Sequence, residues 1–296
     1  DYVGGLEDLK KRKIRIIGDA TSRYQEDPVR MLRAVRFAAK LDFTLEDKTS
    51  APIRSLAPLL EQIPAARLFD EVLKLFMEGQ ALRVYALLKH FDLFRPLFPA
   101  TQRLLDEGHE SASALIEQGL INTDDRIGQG KPVTPAFIYA VMLWPVVKRE
   151  YETLVASGMP DIPALHQAAQ TCISAQQHHT SIPKRFSMPM RDIWELQLRL
   201  PRRSGKRATE LLEHRYFRAA YDFLLLREQS AGGGVVDVDV VRVGEDDLHL
   251  SQGVLVAGRL AEPVGEGRRG QPGPIDRIGI DALARPIEHL EAEAVH

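Results

Sequence analysis

Residues 26–41 constrain the fold most, because they predict a single helix with a well-marked beginning. Asp27 occupies the expected N-cap position, where its carboxylate can accept from free backbone N–H groups. Pro28 follows at the first helical position, where a missing N–H costs nothing. Apolar residues recur at three- and four-residue spacing and form a stripe that predicts a core-facing side: Val29, Leu32, Val35, Ala38 and Ala39.

A basic flank runs beside this stripe, formed by Arg30, Arg33 and Arg36 at three-residue steps. A solvated basic face is the ordinary interpretation of such spacing. However, a carboxylate at the helix start and an arginine three residues later project toward one spot. Together they offer an acceptor and a forked donor, which suits the edge of a nucleobase. The alternative hypothesis is therefore a nucleotide-recognition site.

Residues 26–39 also carry a resemblance, because they resemble the neck motif of the class II nucleotidyltransferases without a gap. This superfamily comprises the bacterial poly(A) polymerases and the CCA-adding enzymes. The resemblance implies that Asp27 and Arg30 select the incoming nucleotide by its base edge. It also implies that Arg33, one turn further on, contacts the nucleotide.

Residues 1–20 predict a short β-hairpin, with strands at 1–3 and 14–17 joined by two glycines and a charged run. Two strands are marginal alone in water, so we expect them to join a sheet that precedes residue 1. The segment resembles the end of the catalytic palm in the same superfamily. The resemblance implies that the metal-binding carboxylates lie upstream, in a catalytic head that binds Mg²⁺ and uses ATP as substrate.

Residues 21–100 are predicted to form the helical neck, in which Pro52, Pro58 and Pro64 separate short segments. Within it, Arg67 and Glu71 are four residues apart on a predicted helix. An ordinary helical ion pair of this kind contributes about 0.2–0.5 kcal/mol. The alternative comes from resemblance, since residues 63–71 resemble the segment that braces the nucleotide-reading helix of poly(A) polymerases. That would make Arg67 and Glu71 supports of the nucleotide site.

Residues 101–230 are predicted to form a helical body, with a loop over 122–135 and a buried helix over 136–144. This apolar run is too short to span a bilayer. Cys172 is the only cysteine, which excludes an internal disulfide and a thiolate zinc cluster. His178 and His179 are adjacent and point apart on a helix, so we expect no metal site there. Without a signal peptide or membrane span, the sequence predicts a cytoplasmic protein.

Residues 183–207 concentrate positive charge on a chain whose formal net charge is −2. Clustered cations of this kind suit an RNA backbone, because each neutralised phosphate releases counterions. The candidate RNA-binding residues are Lys184, Arg185, Arg191, Arg199, Arg202, Arg203, Lys206 and Arg207. Phe186 and Trp194 lie among them, and the apolar spacing favours a core role for Trp194 over base stacking. The segment resembles the RNA-binding body of bacterial poly(A) polymerases.

Residues 231–296 differ sharply in composition, with no aromatic residue and more than half of the 21 glycines. Such a segment has little with which to build a core, and an irregular tail is predicted. Asp237 and Asp239 follow a glycine run, which superficially suggests a metal site. The spacing leaves no room for the helix whose N-terminus would hold phosphates, so we reject that interpretation.

The sequence therefore predicts a mostly α fold, comprising the neck and body of a polynucleotide adenylyltransferase. Its partners would be RNA 3′ ends and ATP, without a membrane. The alternative enzyme function is tRNA CCA addition. A hypothesis of another class is a non-catalytic helical RNA-binding module.

Overall fold

The computed structural model describes residues 4–201 and 210–230. The prediction of a mostly helical chain is confirmed. The first helices are α1 (Gly5–Lys10), α2 (Ala20–Glu26), α3 (Val29–Leu41), α4 (Asp47–Ser50), α5 (Ile53–Leu56), a 3₁₀ helix (Ala57–Gln62), α6 (Ala65–Phe76) and α7 (Ala81–His90). The later ones are α8 (Phe94–Leu97), α9 (Pro99–Asp106), α10 (Glu110–Gly128), α11 (Pro135–Ala156), α12 (Asp161–Gln176), α13 (Lys184–Arg199) and α14 (Phe217–Ser230).

The described N-terminal residues form a parallel pair of strands and not the predicted hairpin. The strand β1 (Lys13–Ile14) pairs in parallel with β2 (Thr44–Leu45), which follows α3. The first part of the charged run lies in α1, and Lys11 Nζ, just after the helix, donates to Glu7 Oε1 at 2.6 Å. Charges four residues apart stabilise a helix, and a parallel partner requires the long α2–α3 connection. Residues 1–3 and the predicted tail over 231–296 lie outside the described residues.

The core explains how α3 is held. All five residues of the predicted apolar stripe are buried, and α3 packs against α6 and α7. A single hydrophobic cluster extends from Ala20 to Leu226 and therefore includes residues of both the predicted neck and the predicted body. Its aromatic side chains are in contact across elements; Phe69 of α6, for example, stacks on Tyr139 of α11 at a centroid separation of 5.6 Å.

The helix α11 lies at the centre of the body. The predicted buried helix is confirmed, since almost every side chain from Ile138 to Pro145 is buried. No helix among the described residues is long and apolar enough to cross a membrane. Trp194 of α13 is fully buried and its Nε1 donates to the Ala140 carbonyl at 3.2 Å, which confirms its predicted core role.

The predicted loop over 122–135 is wrong in its first half, because α10 continues to Gly128. Asp124 does not break the helix, because its carboxylate accepts from the backbone N–H groups of Ala81 and Leu82 at 2.7 and 3.0 Å. It thereby satisfies the free N-terminus of α7 from another helix. Burial raises the pKa of Asp124, while these two hydrogen bonds act in the opposite direction.

Candidate nucleotide-recognition site

The chain enters α3 through Asp27, which has an extended backbone, with φ −148° and ψ 92°. Pro28 already has helical angles, and the Arg30 N–H donates to the Asp27 carbonyl at 3.0 Å. The predicted side-chain cap is wrong, since the Asp27 carboxylate caps no N–H group of α3. It accepts instead from Arg67 Nη2, which lies 2.9 Å from each carboxylate oxygen. A charged donor makes a stronger hydrogen bond than a neutral backbone N–H, so Arg67 prevails.

Arg67 thus connects the start of α3 to α6 across 40 residues. The ordinary helical pair between Arg67 and Glu71 does not form. Glu71 is buried, with a side chain only 4% exposed, and it accepts from Lys74 Nζ at 2.8 Å. The Asp27 side chain is 19% exposed, so its carboxylate remains accessible to a ligand.

Arg30 is held at the junction of α2 and α3. Its Nη1 donates to Glu26 Oε2 and to the Arg23 carbonyl, each at 2.7 Å. The hydrogen bond from Arg30 lowers the pKa of Glu26, and Arg23 also donates to this carboxylate at 2.9 Å. Asp27 and Arg30 are therefore held by different residues, and these hydrogen bonds do not join the two side chains to each other.

The basic flank of α3 is paired with the acidic side chains of the α6 segment. Arg33 Nη2 lies 3.9 Å from Glu71 Oε1. One turn later, Arg36 and Lys40 donate to the two carboxylate oxygens of Glu78 at 3.0 and 2.9 Å. Because the partners follow the same order along both segments, α3 and α6 run in parallel with their ion pairs in register.

Glu26 and Glu78 were not predicted as site residues. A signal for each is present in the sequence. Glu26 precedes Arg30 by four residues, the spacing of a helical ion pair. Glu78 follows Glu71 by seven, which is about two helical turns. However, α6 ends at Phe76. Because Glu78 lies beyond the helix, periodicity alone does not determine where its side chain points.

Four of the eight predicted RNA-binding residues lie in the described part of the chain. Lys184, Arg185 and Arg199 are exposed on α13, while the Arg191 guanidinium donates to the Gln170 side chain. The Arg185 guanidinium lies over the Phe186 ring, 4.9 Å from its centroid. The remaining four lie outside the described residues: Arg202, Arg203, Lys206 and Arg207.

Within residues 4–201 and 210–230, no group of three or more His, Cys, Asp or Glu side chains could hold a metal ion. Cys172 is buried and reduced. Burial raises its pKa to about 12.

Comparisons with known proteins give a consistent result. The family described as "Probable RNA and SrmB- binding site of polymerase A" matches residues 42–105. The family described as "Polymerase A arginine-rich C-terminus" matches residues 157–239. Among solved structures, the Thermotoga maritima CCA-adding enzyme complexed with tRNA has the same fold, with a TM-score of 0.52 at 20% identity. That alignment covers 78% of this chain and 52% of the other.

Curated relatives are more similar in sequence. Poly(A) polymerase I of Escherichia coli O157:H7 is 48% identical over 231 residues, covering 77% of this chain and 50% of the relative. Poly(A) polymerase I of Haemophilus influenzae is 42% identical over 240 residues, covering 80% and 53%. A CCA-adding enzyme of Streptococcus uberis is 47% identical over 77 residues, only 26% of this chain and 19% of that enzyme. The chain thus spans about half the length of the poly(A) polymerases it matches, and it belongs to the bacterial poly(A) polymerase family, which is related to the CCA-adding enzymes.

Proposed function

We propose that the chain forms the neck and body of a polynucleotide adenylyltransferase that adds AMP from ATP to RNA 3′ ends, as in polyadenylation of mRNA. In this proposal residues 21–100 are the neck, which selects the base, and residues 101–230 are the body, which binds RNA. The sequence similarity to poly(A) polymerase I over most of the described residues supports it.

The observation that carries the proposal is the separate support of Asp27 and Arg30 at the start of α3. A carboxylate has about four lone-pair sites. Arg67 uses one site on each oxygen of Asp27. The others can accept from the exocyclic amino group of adenine. A guanidinium has five N–H donors, and Arg30 has donors left for a ring nitrogen beyond those directed to Glu26 and Arg23.

The supporting residues have a defined role in this proposal. Arg67 fixes the rotamer of Asp27, and Glu71 holds Lys74 and lies beside Arg33. Arg33 is 43% exposed and its distance to Glu71 leaves it able to donate to a nucleotide phosphate or sugar. A preorganised acceptor and donor lose less conformational entropy on binding than mobile side chains do.

Metal chemistry belongs to the catalytic head in this proposal, because the described residues contain no metal-binding cluster. Bound there by carboxylates, Mg²⁺ would activate the RNA 3′-hydroxyl and stabilise the departing pyrophosphate. The residues of this chain would hold the base and the RNA. A cytoplasmic location is part of the same proposal.

The test is nucleotide preference in the full-length enzyme, measured as kcat/KM for ATP and for CTP. Arg30→Ala should reduce discrimination between the two by about 1–3 kcal/mol, the range for one bidentate base contact. Asp27→Asn should relax the ATP preference as well, because an amide can turn a donor toward the base. Wild-type efficiency and preference in both variants would contradict the assignment.

Arg95→Ala is the matched control. Arg95 is also held by two acceptors, Asp92 at 3.2 Å and Asp106 at 2.9 Å, but it lies on α8. Its replacement removes the same charge and should leave the ratio of ATP to CTP use unchanged.

CCA addition is the second candidate, favoured by the 47% identity of a 77-residue stretch of this chain to a CCA-adding enzyme. It predicts that the full-length enzyme adds two C residues and one A to a tRNA that lacks its CCA end. A poly(A) polymerase should instead extend an unstructured RNA with many A residues and use CTP poorly.

A further inference from the structure

A second basic site lies away from α3, in a pocket of about 210 Å³ between the α9–α10 connection, α11 and the end of α14. The cationic side chains that line it are Lys148, Arg149 and Arg227, with His109 beside them, and the carboxylates of Glu152 and Glu228 line it too. Pockets for whole small molecules begin at roughly 300 Å³, so this pocket suits a single group better than an entire nucleotide.

Arg227 is the most constrained of these cations. Its guanidinium lies over the Trp144 ring, 4.8 Å from the centroid. Its Nη1 donates to Gln197 Oε1 at 3.1 Å. Gln197 is buried, and its Nε2 donates to the carbonyls of Ile193 and Ala220 at 2.9 and 3.0 Å. The amide can therefore present only its oxygen to Arg227, and the arginine is held in one position at the pocket wall.

Arg227 also differs from its neighbours in charge compensation. Arg149 Nη1 lies 2.8 Å from Glu107, and Lys148 Nζ lies 3.4 Å from Glu152. No carboxylate in the described part of the chain lies within ion-pairing distance of Arg227. Burial lowers the pKa of Arg227, since desolvation disfavours the charged form. Glu228 and Glu152 favour the charged form from a greater distance, and a ligand anion that contacts the guanidinium directly would supply the ion-pair partner that Arg227 lacks.

We propose that Arg227 binds a phosphate group of the RNA backbone in this pocket, with Lys148 as the second cation. The guanidinium presents several N–H donors in a plane, a geometry that matches two phosphate oxygens. Trp144 and Gln197 position the guanidinium, so little entropy is lost on binding. The proposal rests on the proposed function, because it requires that the body bind RNA.

The test is the salt dependence of RNA binding by the full 296-residue chain, measured with a labelled oligoadenylate. For single strands, each phosphate contact adds about 0.7 to the log–log slope. Arg227→Gln should reduce the slope by about that amount, and Arg227→Lys should restore part of the affinity, because it keeps the charge but loses the fork. Arg218→Gln is the matched control, since Arg218 lies on α14 and pairs with Asp222 at 2.9 Å. It should leave the slope unchanged.

One further variant keeps the test decisive. If Arg227→Gln unfolds, Lys148→Gln removes the other cation without touching Trp144 or Gln197, and it too should flatten the slope. An unchanged slope in the folded pocket variants would overturn the proposal. An equal loss in Arg218→Gln would do the same, because only net charge would then matter. If the pocket variants bind RNA as tightly as the unsubstituted chain, the proposal for this pocket is wrong and the proposed function of the body is unaffected. If the unsubstituted chain does not bind RNA, the proposed function of the body is wrong as well.

The source of the phosphate is tested by fluorescence, because Trp144 is one of only two tryptophans in the chain. Oligoadenylate should change the tryptophan emission saturably, and the change should disappear in Trp144→Phe. Inorganic phosphate and ATP serve as the competing probes. If either saturates the same signal at the concentrations at which RNA does, the pocket binds a free anion and the assignment to the RNA backbone is wrong.

Discussion

At the scale of single residues, the Asp27 carboxylate has two possible partners, the N-terminus of its own helix and a side chain from another helix. The Arg67 guanidinium prevails, with both carboxylate oxygens at 2.9 Å. Both side chains are partly exposed, and exposed ion pairs typically contribute only 0.2–1 kcal/mol. The pair therefore matters more for the orientation of Asp27 than for the stability of the fold.

Arg67→Ala in the full-length enzyme tests this orientation. We expect a relaxed ATP-over-CTP preference and a loss of at most about 1 kcal/mol in the free energy of unfolding. Arg218→Ala is the control, because Arg218 forms a comparably exposed ion pair with Asp222 on α14 and has no contact with Asp27. Preference and unfolding are measured by steady-state kinetics and urea titration. A large stability loss with an unchanged preference would make Arg67 a purely structural residue.

At the scale of elements, the packing of α10 against α11 depends on Gly119. A Cβ at this position would lie 2.6 Å from Val141 Cγ1 and 3.2 Å from Leu226 Cδ2. A glycine inside a helix normally costs about 1 kcal/mol relative to alanine. Here the close approach of two helices outweighs that cost, because both contacting atoms belong to branched side chains in a packed core.

Gly119→Ala is therefore expected to destabilise the chain by about 1–3 kcal/mol, the usual range for overpacking a core. Gly128→Ala is the matched control at the end of the same helix, where no atom lies within 4 Å of the added Cβ. It should be neutral or slightly stabilising. Urea unfolding of both variants gives the comparison, and equal changes in the two would contradict the packing argument.

At the scale of the whole molecule, one core joins the α3 region to the body. The cluster that contains Val35 of α3 also contains Trp194 of α13 and Leu226 of α14. Separate cores would allow the two regions to unfold independently, whereas a shared core couples them. The helix α3 is thus supported by the same packing that supports the predicted RNA-binding body.

This coupling predicts a single cooperative transition for α3 and α11. Hydrogen exchange under increasing denaturant should give the slowest amides of the two helices similar opening free energies. Gly119→Ala should lower both, even though Gly119 does not lie on α3. Exchange of α3 at much lower denaturant, with α11 unaffected, would indicate two independent units.

Predictions that depend on side-chain spacing within one segment agree with the structure better than predictions about segments whose partners are distant in sequence. The α3 stripe, the buried α11 helix and the core position of Trp194 follow from periodicity and composition, and all three are confirmed. The predicted N-terminal hairpin was wrong, and so was the first half of the predicted loop before Pro135. Both errors concern segments whose partners lie far along the chain, where local turn signals compete with tertiary hydrogen bonds.

By itself, the sequence determined that this chain is helical, which face of α3 is buried and that the flank beside that face is basic. Those properties depend on side-chain spacing along one segment, since a helix repeats every 3.6 residues. Only the tertiary structure decided that Asp27 pairs with Arg67, that Glu78 holds Arg36 and Lys40, and that Asp124 caps α7. In each case the sequence offers the charged group more than one possible donor or acceptor. Helix packing determines the partner, because it sets which donor or acceptor lies within about 3 Å of the charged group.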